Sequence, residues 1–237
     1  MGTMMKLGLA LLASAVVPLQ AAERTSAVVD VVWDVGLDVD GHVTALSTKD
    51  TTVPKLHAHL EKAIRGWRFT PGTLNGKPAP TKTHLRSQIE VRLVNDSFEI
   101  RLLGASTGPD YANRPTVAYP DWMARNHKQG LVLVIAHYDE SGAVTEAKPY
   151  DLHNRVDAGL VQAALSSAKH WAFAPELVGG HPVAGDVAIP VCFQLAGADP
   201  VDCEWKNPRT GAKGAGSDAV ALNPAARLDS DVVGRVL

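Results

Sequence analysis

The chain has 237 residues, 46% of them hydrophobic and 20% charged, a globular balance that excludes collagen-like, coiled-coil and wholly disordered classes. At roughly 100 to 150 residues per domain, the length suits two small domains. Lys plus Arg number 23 against 25 Asp plus Glu, a net charge of -2, so no general field draws in nucleic acid or anionic lipid and no nucleic-acid partner is expected.

Residues 1–21 read as a secretory signal peptide. Lys6 supplies the positive charge, Leu7 to Val17 run apolar, Pro18 breaks the run, and Leu19-Gln20-Ala21 offers a cleavage site. The apolar stretch from Leu7 to Val17 is 11 residues, short of the roughly 20 that span a bilayer. An uncleaved anchor is the alternative, and membrane association follows only if the segment is kept. Export makes the two cysteines readable, because an oxidising compartment lets thiols pair. Cys192 and Cys203 are expected to form a disulfide; two inert thiols are the other reading.

An internal repeat organises the rest of the chain. Asp40-Gly41-His42-Val43, Trp67-Arg68-Phe69-Thr70-Pro71 and Asn75-Gly76-Lys77-Pro78 are echoed by Ser141-Gly142-Ala143-Val144, Trp171-Ala172-Phe173-Ala174-Pro175 and Gly179-Gly180-His181-Pro182. Gly41 and Gly142 stand 101 positions apart, and Trp67 and Trp171 stand 104 apart. Three extra residues therefore fall between them in the second copy.

In the first unit, residues 22–95, Val29, Val31, Trp33, Val35, Leu37 and Val39 alternate with Asp30, Asp34 and Asp38, the period of a half-buried strand. Asp40-Gly41 is a hairpin turn. Leu56, Leu60, Ile64 and Trp67 line one helix face, with Pro54 in the first turn. Leu85, Ile89, Val91 and Leu93 then alternate with His84, Arg86, Gln88, Glu90 and Arg92 in a closing strand. Residues 96–114, without periodicity and containing Gly104, Gly108 and Pro109, read as an interdomain linker, although Phe98 to Leu103 has the composition of one more short strand.

In the second unit, residues 115–203, Asp157 is a candidate N-cap for a helix burying Leu160, Ala164, Leu165, Ala168 and Trp171. Val187, Ile189, Val191, Phe193 and Leu195 alternate with Ala188, Pro190, Cys192 and Gln194, which turns Cys192 away from the core. Pro190 cannot donate to a ladder, so this strand belongs at an edge. Residues 204–237, rich in Gly, Ala, Asp and Pro, have little to bury and read as a flexible tail.

The sequence offers little catalytic chemistry. His57 and His59, two apart on a helix, do not converge on one ion, unlike an i, i+4 pair. Ser141-Gly142 and Ser166-Ser167 lack a nucleophile-elbow context, and no phosphate-binding glycine loop occurs. No enzyme activity, cofactor or metal is expected. Asp34, Asp38 and Asp40 read as a solvated strand face rather than a cation site, and Trp67, Phe69, Trp171 and Phe173 as core rather than a ligand groove.

Tyr119-Pro120, a short helix with Trp122 and Met123, the Gly130 turn, the strand Leu131 to Tyr138, Ser141-Gly142, Trp171-x-Phe173-x-Pro175, Gly180-His181-Pro182-Val183 and Ile189-Pro190-Val191-x-Phe193 together resemble the TonB C-terminal domain over residues 115–195. Residues 28–93 resemble the same family as a degenerate copy without the Tyr-Pro lead-in. The resemblance implies an α+β fold of two tandem small domains, each a three-stranded antiparallel sheet with a helix on one face. It implies a periplasmic protein-binding role linked to TonB-dependent transport across the outer membrane, with an outer-membrane TonB-dependent receptor or another envelope protein as partner. Recognition would be by strand addition at the edge strand Val187 to Leu195, with Tyr119, Pro120, Ala188, Pro190 and Gln194 as contact residues; capping of the sheet is the alternative role for Tyr119-Pro120. A homodimer is a further partner that the sequence leaves open. The missing Pro-rich spacer and a cleaved N-terminus argue against motor coupling, and a structural envelope protein without a transport role is the alternative.

Overall fold

The computed structural model describes residues 26–50, 54–94, 97–150, 156–209, 213–214 and 218–237; residues 1–21, expected as a signal peptide, lie outside them. The first part of the chain folds as β1 (Ser26–Leu37), β2 (Val43–Ser47), α1 (Pro54–Ile64), β3 (Phe69–Thr70), the small hairpin β4 (Thr73–Leu74) and β5 (Lys77–Pro78), then β6 (Thr81–Val94), β7 (Ser97–Gly108) and β8 (Asp110–Asn113). The second part runs α2 (Asp121–Arg125), β9 (Gly130–Tyr138), β10 (Val144–Pro149), α3 (Ala158–Ala168), β11 (Ala172–Ala174), β12 (Leu177–Val178), β13 (His181–Pro182) and β14 (Gly185–Phe193). Four short strands end the chain: β15 (Trp205–Lys206), β16 (Lys213–Gly214), β17 (Val220–Ala221) and β18 (Arg227–Leu228). The fold is α+β and strand-rich.

Period-two patterning places the core. In the first sheet Val31, Trp33, Val35 and Leu37 of β1 and Leu85 and Ile89 of β6 bury one face against Leu56, Leu60 and Ile64 of α1, with Trp67 and Phe69 closing the end. In the second, Val132, Val134 and Ala136 of β9 and Val187, Ile189, Val191 and Phe193 of β14 meet Leu160, Ala164 and Ala168 of α3. Asp157 caps α3, its carboxylate accepting from Gly159 N at 3.1 Å.

The two sheets share one register. Trp33 stands opposite Leu85 in the first, and Val134 opposite Ile189 in the second; these positions differ by 101 and 104, the same two offsets that relate the sequence motifs. The turns also match. Gly41 and Gly142 both take left-handed φ values, 77° and 85°, and their carbonyls accept from Phe69 N at 3.1 Å and Phe173 N at 2.8 Å. Asp38 accepts from the amides of Asp40 and His42, as Asp139 does from those of Ser141 and Ala143.

Three expectations are corrected. The sheets are not three-stranded: the first runs β13-β12-β6-β1-β2 with β7 also on β6, and the second runs β10-β9-β14-β17. The expected linker is a strand, because Phe98, Ile100 and Leu102 alternate and β7 pairs with β6 from Val94 to His84; Gly104 and Gly108 hide that pattern. The expected loose tail is also structured. Trp205, Ala219, Ala221 and Ala226 are buried, and small side chains that score low on hydropathy fit where large ones would not.

The tail and linker cross between the units reciprocally. After β7 completes the first sheet, β8 pairs with β11 of the second unit; after β17 joins the second sheet, β18 pairs with β3 of the first. The chain end then lies along β7, with Leu102 N bonded to Arg235 O at 3.0 Å and Leu237 N to Ile100 O at 2.9 Å. The two units are thus not joined by a bare linker. Their straps interlock, and β12 of the second unit extends the first unit's sheet.

Cys192 and Cys203 form a disulfide, and Cys192 is exposed between buried Val191 and Phe193. A bond closing so short a loop contributes about 3 kcal/mol through the unfolded state. Cys203→Ser is expected to lower thermal stability by roughly that amount, read in a melting curve with and without reductant; an unchanged melt in both conditions would show that the loop is held without the bond.

Candidate functional site

The outer edge of β14 is the surface to which the sequence points. Its inner edge is taken by β9 along the whole strand, from Gly185 opposite Tyr138 to Phe193 opposite Gly130. On the outer side, Leu222 N donates to Asp186 O at 2.8 Å. Antiparallel alternation therefore turns the backbone groups of Asp186, Ala188, Pro190 and Cys192 outward. Pro190 has no N–H to offer, and Cys192 is bound to Cys203. Two successive outward residues that each carry both a donor and an acceptor are therefore Asp186 and Ala188.

That portion is occupied. Val187 faces Ala221 and Ala188 faces Val220 across the β14–β17 pair. Ala188 is fully buried in a small cluster with Leu133 and Trp205, against which Val220 and Leu222 pack. Ala188 and Pro190, expected as contact residues, are thus both buried, whereas Gln194 is exposed just past the strand. The sequence missed this because two strand residues leave no periodic signal.

Tyr119 and Pro120 lie at the far end of β14. The Tyr119 ring meets Phe193 edge-on at 5.3 Å between centroids, and its hydroxyl donates to Lys128 O. Pro120 is the N-cap of α2, and buried Met123 anchors that helix in the core. These contacts seat α2 on the end of the sheet, and burial pushes the Tyr119 hydroxyl above its ordinary pKa. Tyr119→Phe is expected to cost about 1 kcal/mol in a melting curve and Tyr119→Ala about 3 kcal/mol; an unchanged melt for both would show the ring packing to be idle.

Two further residues escaped the sequence reading. Tyr111 of β8 stacks on Phe173 at 5.0 Å, with the Arg114 guanidinium 4.6 Å over its ring, and burial pushes its hydroxyl up to about 12. Glu176, between β11 and β12, is 1% exposed. Its carboxylate accepts from Thr83 Oγ1 at 2.6 Å, Ala225 N at 2.6 Å and Ala226 N at 3.2 Å. One side chain thereby joins the first sheet, the second unit and the tail. Burial raises its pKa against those three bonds. The clue was in the repeat: the first copy has Gly72 after its Pro71 where the second has Glu176 after Pro175.

Asp38, Asp40 and His42 gather within 4.8 Å, but the Asp38 carboxylate is engaged by its own turn, and the amide of His42 holds its pKa low. The group is accounted for by hairpin geometry. His137 and Asp186 pair at 2.9 Å with both side chains nearly half exposed, an interaction worth little in water.

Residues 115–195 match the family described as Gram-negative bacterial TonB protein C-terminal. This unit is a TonB C-terminal domain. A 90-residue stretch of the chain is 31% identical to Protein tonB2 of Pseudomonas aeruginosa, covering 38% of this chain and 33% of that relative. The chain therefore spans about a third of the length of the curated relative it matches. No solved structure matches the chain. Within the TonB C-terminal domain, the matched range ends just past β14 and excludes the tail that lies on its edge.

Proposed function

We propose that this chain is a periplasmic TonB-like protein-binding protein that takes part in TonB-dependent transport across the outer membrane by pairing the β14 edge with an extended segment of a partner. The observation that carries the reading is the TonB C-terminal domain at 115–195, whose β14 keeps the Asp186 and Ala188 backbone groups on its outer edge. The partner is an outer-membrane TonB-dependent receptor or another envelope protein. Main-chain bonds at that edge supply affinity, and the apolar floor of Leu133 and Trp205 supplies side-chain selectivity.

We read the first unit as a diverged copy of the same domain. The shared register and the paired glycine turns support this. In that copy the corresponding edge of β6 is filled by β7 from Val94 to His84, whereas the resident strand on β14 covers only Val187 and Ala188. Among the described residues no helix is long and apolar enough to cross a membrane; delivery to the periplasm rests on the reading of residues 1–21.

Sedimentation of the purified full chain with outer-membrane fractions tests the reading. Retention by membranes that carry their proteins, and none by vesicles of the extracted lipids, is expected. Equal recovery from both, or from neither, would overturn it.

A further inference from the structure

The tail strand has the marks of a resident stand-in for the partner. Ala219 and Ala221 are buried on one side, where Ala221 sits so close to Gly108 that a Cβ built there would lie 2.6 Å from the Ala221 Cβ. Val220 and Leu222 point to the other side, onto Leu133, Ala188 and Trp205. The strand lying on this edge thus reads aliphatic, small, aliphatic over Val220, Ala221 and Leu222. The hold is short: where β7 pairs with β6 over most of a strand, β17 pairs with β14 only at Val187 and Ala188.

The strap is tethered on both sides of this contact. Upstream, Cys203 is bonded to Cys192. Downstream, Glu176 accepts from Ala225 and Ala226, and Arg227 and Leu228 pair with Thr70 and Phe69. Its middle can leave the edge without leaving the molecule. A groove of about 920 Å³ opens beside it, lined among others by Arg86, Trp205, Val220 and Leu222. The Trp205 Nε1 and Arg86 Nε donors are buried there without a partner among the described residues.

We infer that residues 219–222 close the β14 edge in cis and that the partner is an extended segment of the same aliphatic, small, aliphatic pattern, admitted when this strap swings into the neighbouring groove. The inference rests on the strand-addition reading and adds its regulation and its sequence preference. Tethering makes the strap a competitor at high effective concentration, so an incoming segment must displace it through longer pairing or through acceptors for the unpartnered donors. Glu176 sets how firmly the strap returns.

The test uses the full chain and a synthetic peptide of residues 218–224, Asp-Ala-Val-Ala-Leu-Asn-Pro. Leu222→Pro removes the amide that bonds Asp186 O, and Glu176→Gln weakens the anchor, so that misfolding of one variant leaves the other as the test. The peptide is expected to bind each variant at least about tenfold tighter than wild type and to slow hydrogen exchange at the Ala188 amide. The same peptide with aspartate in place of its Ala221 should show no gain. Equal binding to wild type and variants would overturn cis closure. Binding to none of them, while the chain still sediments with outer-membrane proteins, would overturn this inference and leave the transport reading intact. The tenfold gain with no such sedimentation would support cis closure and sink the transport reading alone.

Discussion

Replacing Glu176 by alanine is expected to destabilise the protein by about 3 to 5 kcal/mol, because it strands three donors that the carboxylate satisfies away from water. Thr83 Oγ1, Ala225 N and Ala226 N come from the first sheet and from the tail, so the loss is felt across the whole molecule. For a chain of this size that corresponds to a fall in Tm of roughly 10 °C. A fall of less than a degree or two would mean that water or a shifted side chain takes over the three donors.

The same residue gives a pH dependence with a defined sign. Burial is the largest influence on Glu176 and raises its pKa above the ordinary carboxylate value. A group whose folded-state pKa is raised stabilises fully below its unfolded value, about 4.3, and loses that contribution as pH rises through the folded value. The stability advantage of wild type over Glu176→Gln should therefore shrink as pH climbs from about 4 upward. An advantage that grows over that range would show that the three hydrogen bonds outweigh burial and hold the carboxylate ionised.

Gly142→Ala is the second large effect. At φ 85° an L-residue costs about 1 to 2 kcal/mol for conformation alone, and here its Cβ would also fall inside the Phe173 carbonyl. The bond from Phe173 N to Gly142 O, which fixes the strand after α3, must break as the chains part. The total expected is about 3 kcal/mol or more, with Gly41→Ala matching it in the first unit. Gly180 shares the φ of 85° but faces open space, so Gly180→Ala should show only the conformational part. Equal melting of Gly142→Ala and Gly180→Ala would sink the claim that close approach to Phe173 matters.

Much of the fold is legible in the sequence. The alternation of Val31, Trp33, Val35 and Leu37 and the spacing of Leu56, Leu60 and Ile64 specify one face of a sheet and one face of a helix, and both are buried as patterned. Cys192 could be placed on the outer face from the buried Val191 and Phe193 beside it. What escaped was held together by means that leave no period. The β6–β7 ladder is broken by a register shift between Gln88 and Ile89, and the tail contributes alanines and two-residue strands. Glu176 looked like any surface carboxylate, because its partners are distant in sequence. The candidate edge was legible as a strand; its occupant was not, since Ala188 and Val220 meet across 32 residues of chain.

The most direct measurement is photocrosslinking in the native envelope from a photoreactive residue at Asp186, a half-exposed position at the one stretch of β14 with a full set of outward backbone groups. Strand addition predicts an adduct with an outer-membrane protein, stronger in the Leu222→Pro chain than in wild type. An adduct confined to the chain's own residues 218–224, in wild type and Leu222→Pro alike, would contradict it and leave an envelope protein whose two units bind only each other.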